Sequence, residues 1–184
     1  MMNDKDDEGA TPLLLCVGSG RVEIVKILLG RKADVNTKNK QLVYPVHSAA
    51  RTGDLATLKI LVESKARLNA RNALQQTPLY LTASTNHVEV IEYLIDSGAN
   101  VNLWDQDGVT PLMSAAFEGN CEAVTALISK GARLDILDED DKSVLFHAAE
   151  QNKPEVIEIL LRHHRGEELL QVCFSIENRS AVIQ

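Results

Sequence analysis

Residues 77–102 read TPLYLTASTNHVEVIEYLIDSGANVN. Threonine followed by proline suits the opening of a short helix. The hydroxyl can cap it, and proline at the first helical position gives up an N–H that has no helical partner there. Asn86 stands nine residues after Thr77, and Asn, like Gly, tolerates the left-handed conformation that ends a helix. A second helix is expected over 88–95, where apolar residues recur at three- and four-residue spacing. The stretch then leaves through GANVN (98–102), a short extended segment leading into a polar turn.

Outward from this stretch the same arrangement returns every 33 residues. TPLLLCV begins at Thr11, YPVHSAA at Tyr44, TPLMSAA at Thr110 and SVLFHAA at Ser143, with no insertion or deletion between them. Gly20, Gly53, Gly119 and Asn152 share the place of Asn86. The other second helices fall at 22–29, 55–62, 121–128 and 154–161. Small runs such as Ser48-Ala49-Ala50 and Ser114-Ala115-Ala116 let neighbouring helices approach closely. Five copies of one period indicate a stacked repeat, in which each unit buries its face against its neighbours.

Composition narrows the function. The 184 residues are 45% hydrophobic and only 4% aromatic, with a net charge of −7. A nucleic-acid binder usually shows a basic face, so DNA or RNA is not an expected partner. Cys16, Cys121 and Cys173 are far apart and odd in number, which supports neither a disulfide framework nor a zinc knuckle. A reducing cytoplasm or nucleus is the expected location. No apolar run reaches membrane-spanning length, so no membrane insertion is expected.

The pattern resembles the ankyrin-repeat family. Threonine-proline-leucine, small residues, a glycine turn, paired leucines and a GADVN-like close recur in TPLLLCVGSGRVEIVKILL…KADVN and in TPLYLTASTNHVEVIEYLIDSGANVN, and the match covers roughly residues 6–164. The resemblance implies an all-α ankyrin-repeat solenoid of stacked helix-turn-helix pairs with β-hairpin fingers. It places repeats starting near 6, 39, 72, 105 and 138 in a domain over 1–165. Residues 166–184 are expected to form a capping helix or a flexible tail. Leu169 and Cys173 there weakly resemble an elongin-binding box, but Glu168 and Glu177 depart from it. Pro12 to Val17 is apolar almost throughout, whereas terminal repeats normally turn a polar face outward. This favours a fragment in which further repeats precede residue 1.

No catalytic, metal-binding or cofactor-binding residue is expected. The chain has no P-loop and no GxGxxG, and no histidine has a Cys, Asp or Glu at metal-ligand spacing. DILDEDDK (135–142) lacks the alternating Asp, central Gly and closing Glu of a calcium loop. In the family the threonine and a histidine three residues later tie neighbouring units together. No repeat here keeps both: Leu14, Tyr80, Met113 and Phe146 replace the histidine, and His47 follows Tyr44 instead of a threonine. The resemblance also implies asparaginyl hydroxylation at Asn36, Asn69 and Asn102, each with a leucine eight residues upstream. The simpler reading is that these asparagines satisfy the hairpin backbone.

What the resemblance implies about function is protein binding by an adaptor or scaffold that is not an enzyme. The partner would lie along the concave groove and the finger tips. Carrying those places over gives Lys40, Gln41, Arg51 and Thr52 in repeat 2, and Leu74 and Ser84 in repeat 3. Repeat 4 gives Trp104, Asp107, Phe117 and Glu118, and repeat 5 gives Glu139, Asp140 and Glu150. Charge is graded from basic in repeat 2 to acidic in repeats 4 and 5, the acidic count including Asp105 and Asp138. A basic segment of another protein would therefore sit over repeats 4 and 5 of a monomer. The alternatives are the cytoplasmic ankyrin segment of a larger protein such as a membrane channel, and an ankyrin inhibitor of a kinase or transcription factor.

Overall fold

A computed structural model describes residues 3–163. Five helix pairs follow one another: α1 (Pro12–Gly18) and α2 (Val22–Gly30), α3 (Pro45–Thr52) and α4 (Leu55–Glu63), α5 (Pro78–Ser84) and α6 (Val88–Asp96), α7 (Pro111–Glu118) and α8 (Cys121–Ser129), and α9 (Val144–Glu150) and α10 (Pro154–His163). Their starts are the ones the 33-residue period marks. The hydroxyls of Thr11, Thr77, Thr110 and Ser143 each accept the backbone N–H three residues on, at 3.2–3.3 Å. Gly53 and Gly119 close α3 and α7 in the left-handed conformation, and Asn86 and Asn152 adopt it after α5 and α9.

The first helices pack on one another in order, α1 to α3 to α5 to α7 to α9, more extensively than the second helices do. Ala49, Ala50, Ala83, Ala115, Ala116 and Ala148 are fully buried and permit this approach. Closer packing on that side makes it the inner face of the stack. The second helices contribute a leucine ladder at one register: Leu61, Leu94, Leu127 and Leu160 are all inaccessible to solvent.

Ahead of each pair the chain makes a tight turn of one construction, repeated five times. The side chains of Asp6, Asn39, Asn72, Asp105 and Asp138 each accept the N–H groups two and four residues on, at 2.8–3.0 Å. The fourth place of the turn is left-handed at Gly9, Leu42, Gln75, Gly108 and Asp141. Successive turns are joined by backbone bonds from Lys40 to Glu8, Ala73 to Gln41, Gln106 to Leu74 and Glu139 to Asp107, at 2.9–3.1 Å. The fingers are thus tight hairpin turns rather than long ladders. Among the described residues one isolated antiparallel bridge, Leu137 to Ser143, stands outside the helices.

Gly108 is the place where the turn spacing leaves no room. Its φ is +79°, and a Cβ added there would lie 2.8 Å from the backbone nitrogen of Glu139 and 3.0 Å from Cα of Asp138. Both are backbone atoms and cannot rotate away. Gly108→Ala is expected to lower stability by about 2 kcal/mol, combining left-handed strain with overpacking. Urea unfolding measures it, with Leu42→Ala, at a turn that already carries a side chain, as the control of small effect.

Candidate functional site

The fingers and the C-terminal ends of the first helices form one surface. The finger-to-finger bonds bring Leu74 beside Gln106, and Asp107 beside Glu139. Lys40, Gln41, Arg51, Thr52, Leu74, Trp104, Asp107, Phe117, Glu118, Glu139, Asp140 and Glu150 are all exposed, while Ser84 is half-buried. The Ser84 hydroxyl donates to the Leu81 carbonyl, and its own carbonyl accepts from Asn120. The Thr52 hydroxyl similarly donates back to Ser48 and Ala49. These two side chains are occupied by their own helices and offer less than the others.

Two acidic residues leave the surface. Asp105 and Asp138 turn inward to build their fingers, so the acidity of repeats 4 and 5 rests on the remaining carboxylates. The Asp138 side chain is 5% exposed, and its second oxygen accepts from Nε2 of buried His147 at 2.8 Å. Phe117 meets the His147 ring edge-on at 6.3 Å between centroids. Phe117 therefore stands on a rigid base although its own ring is exposed. Lys142 pairs with Glu150 at 3.2 Å and lies over the Phe146 ring. Leu137 is exposed at the same register as Trp104, one residue before the turn carboxylate of the next finger. Sequence reading missed this apolar neighbour, although the 33-residue period marks it.

His47 does structural work. Its Nδ1 accepts the N–H of Tyr44, the residue that precedes α3, at 3.2 Å. That leaves the proton on Nε2, which donates to the Gln76 carbonyl of the next repeat at 3.1 Å. Burial pushes its pKa down to about 4, against the opposing effect of the bonds to Gln76 and Ala70 backbone. At the same register Tyr80 reaches across to Ser114 and Asp105 of the following repeat, and burial pushes its phenol up to about 12. Met113 offers its sulfur to the Thr110 N–H at 3.4 Å. The Met113 contact stays within its own repeat, so the tie between repeats is kept by His47 and Tyr80.

The asparagines also act between repeats. The side-chain oxygens (Oδ1) of Asn36, Asn69 and Asn102 accept the backbone N–H groups of Arg67, Asn100 and Arg133, each at 2.9 Å.

Among the described residues no three His, Cys, Asp or Glu side chains converge as metal ligands would. A shallow recess of about 390 Å³ lies between α6 and α8, lined by Val88, Glu92, Cys121 and Thr125. Burial, then the charges of Glu122 and Glu155, raise the Cys121 thiol, which makes it a poor nucleophile. Cys16 is a half-buried free thiol.

A family model described as "Ankyrin repeats (3 copies)" matches residues 46–138, and one described as "Ankyrin repeats (many copies)" matches residues 15–62. The chain belongs to the ankyrin-repeat family. Ankyrin repeats generally mediate protein–protein interaction, and the family is typically not enzymatic. Comparison with curated proteins returns no match. No helix among the described residues is long and apolar enough to cross a membrane. The tail, with Leu169, Cys173 and the expected capping helix, lies outside the described residues of this ankyrin chain.

Proposed function

We propose that this ankyrin-repeat protein is an adaptor or scaffold that binds another protein along the fingers and first-helix ends, with a basic segment of that partner over repeats 4 and 5. One observation carries the reading. Exposed Phe117, Trp104 and Leu74 stand among the exposed carboxylates of Asp107, Glu118, Glu139, Asp140 and Glu150 on consecutive fingers and helix ends. Aromatic side chains are favoured anchors, and the surrounding charge selects and steers the partner. Lys40 and Arg51 in repeat 2 would meet a more acidic stretch of the same partner.

Phe117→Ala is expected to weaken a partner recovered by affinity capture by about tenfold or more, the cost of a modest hot spot. Asp140→Lys should slow association and reduce its dependence on salt. Titration calorimetry and stopped-flow mixing at two ionic strengths measure both. Unchanged affinity in both variants would remove this surface from the binding reaction.

Hydroxylation of Asn36, Asn69 or Asn102 is a separate proposal. Asn69 is the exposed member of the three.

A further inference from the structure

Repeat 1 presents to solvent a face that the later repeats bury wholly or in part. Ile24 is 41% exposed, whereas Thr57, Val90, Ala123 and Val156 at the same register are at most 1% exposed. Leu15 is 53% exposed, whereas Ser48, Ser114 and His147 at its register are buried and Leu81 is half-buried. Ile27, at 61%, is the most exposed of the large apolar side chains described. Leu28 is half-buried where Leu61, Leu94, Leu127 and Leu160 are sealed. The places of Leu15, Ile24 and Leu28 turn toward the preceding repeat, because the last repeat still buries their copies and the first does not.

The other end of the stack is the complement. Ala149 is exposed where Val17, Ala50, Ala83 and Ala116 are buried, and Leu161 is 41% exposed. Ile157 is half-buried where Val25, Leu58, Ile91 and Val124 are sealed. These are the groups on which a following repeat packs.

We propose that the repeat 1 end of one copy docks on the repeat 5 end of a second copy, head to tail. The junction would continue an interface that the chain already makes four times over. Leu15, Ile24 and Ile27 would cover Ala149, Ile157 and Leu161. One polar contact of the internal interface also recurs there. Asn86 donates to Glu122 at 3.0 Å, and the same registers at the junction carry Asn152 and Glu23. One does not: Lys130 pairs with Asp96, whereas the junction sets Arg31 opposite Arg162. The association is therefore weaker than an internal repeat contact. A contact of this kind joins unlike faces and extends unless the rotation closes. It departs from the monomer expected from sequence, and it uses neither the fingers nor the groove.

Sedimentation equilibrium tests it on the full chain. The average mass should rise with concentration above the 20.2 kDa of one chain. Ile24→Lys spoils one end and Leu161→Lys the other, and each alone should weaken association about tenfold or more. Both lysines fall on positions already exposed in the single chain, and circular dichroism checks that the fold persists. An equal mixture of the two variants should form a dimer and stop there, since one intact end of each remains. Arg162→Asp should tighten association about two- to fivefold by placing a carboxylate opposite Arg31. A wild-type chain that stays monomeric overturns the proposal. So does association lost in Ile24→Lys but kept in Leu161→Lys, which would mean that two repeat 1 ends pair with each other.

Discussion

Leu94→Ala is expected to lower the unfolding free energy by about 3–4 kcal/mol, the range for a leucine truncated where the surroundings relax only partly. Leu94 sits in the second helix of the central repeat and is inaccessible to solvent. The preceding repeat helps seal this register, since it is half-buried in repeat 1 and sealed in every later repeat. The same truncation at Leu28 should cost about half as much. That leucine holds the same register, but the end of the stack leaves it half-buried. Urea titration of both variants measures the difference. In a stack whose stability is a sum of repeat and neighbour contributions, a central defect also threatens cooperativity. Leu94→Ala should accordingly show a shallower transition than Leu28→Ala. Equal costs at the two positions would contradict the burial pattern.

Acid should destabilise the protein through His47. The fold holds this imidazole neutral, with a pKa of about 4 against 6.5 for an unperturbed histidine. Between those values the unfolded chain takes up a proton that the folded chain refuses. Unfolding free energy is therefore fully kept above pH 6.5 and falls as pH drops toward 4, by about 3 kcal/mol at 1.36 kcal/mol per pH unit. Protonation would also place a proton on Nδ1, which now accepts the Tyr44 N–H. The Tyr44 N–H loses its acceptor in that event, while Nε2 goes on donating to Gln76. His47→Gln keeps an acceptor and a donor but cannot titrate. Its stability should be lower than wild type at pH 7 and fall less between pH 7 and 4. Carboxylates titrate in both proteins, so the difference between the two curves isolates His47. Parallel curves would show that this histidine is not held neutral.

The repeat was legible because its physics is local. Cap, proline, small run and turn glycine sit within a dozen residues of one another, and each recurs at the same offset. Helix starts followed directly, and the resemblance supplied the stacking. What stayed hidden depends on a neighbour. Tyr80 breaks the family pattern, but its hydroxyl finds Ser114 and Asp105 of the next unit. Asp138 sits within a strongly acidic run, and only the turn geometry shows it facing His147 instead of solvent. Leu42, Gln75 and Asp141 occupy left-handed places where Gly9 and Gly108 would suggest glycine. The backbone bonds linking successive turns accompany that strain at each of them. The exposed face of repeat 1 was hinted at by its apolar first helix. Its extent, with Ile24 and Ile27 from the second helix, needed the stack.

The most direct test of the interaction surface is hydrogen exchange on the chain with and without a partner recovered by affinity capture. The expected result is slowed exchange in the fingers and first-helix ends of repeats 3 to 5, over residues 72–76, 104–109, 117–119 and 137–151, with the second helices α6 and α8 unchanged. Protection confined to α6 and α8, with the fingers exchanging as in the free chain, would contradict it.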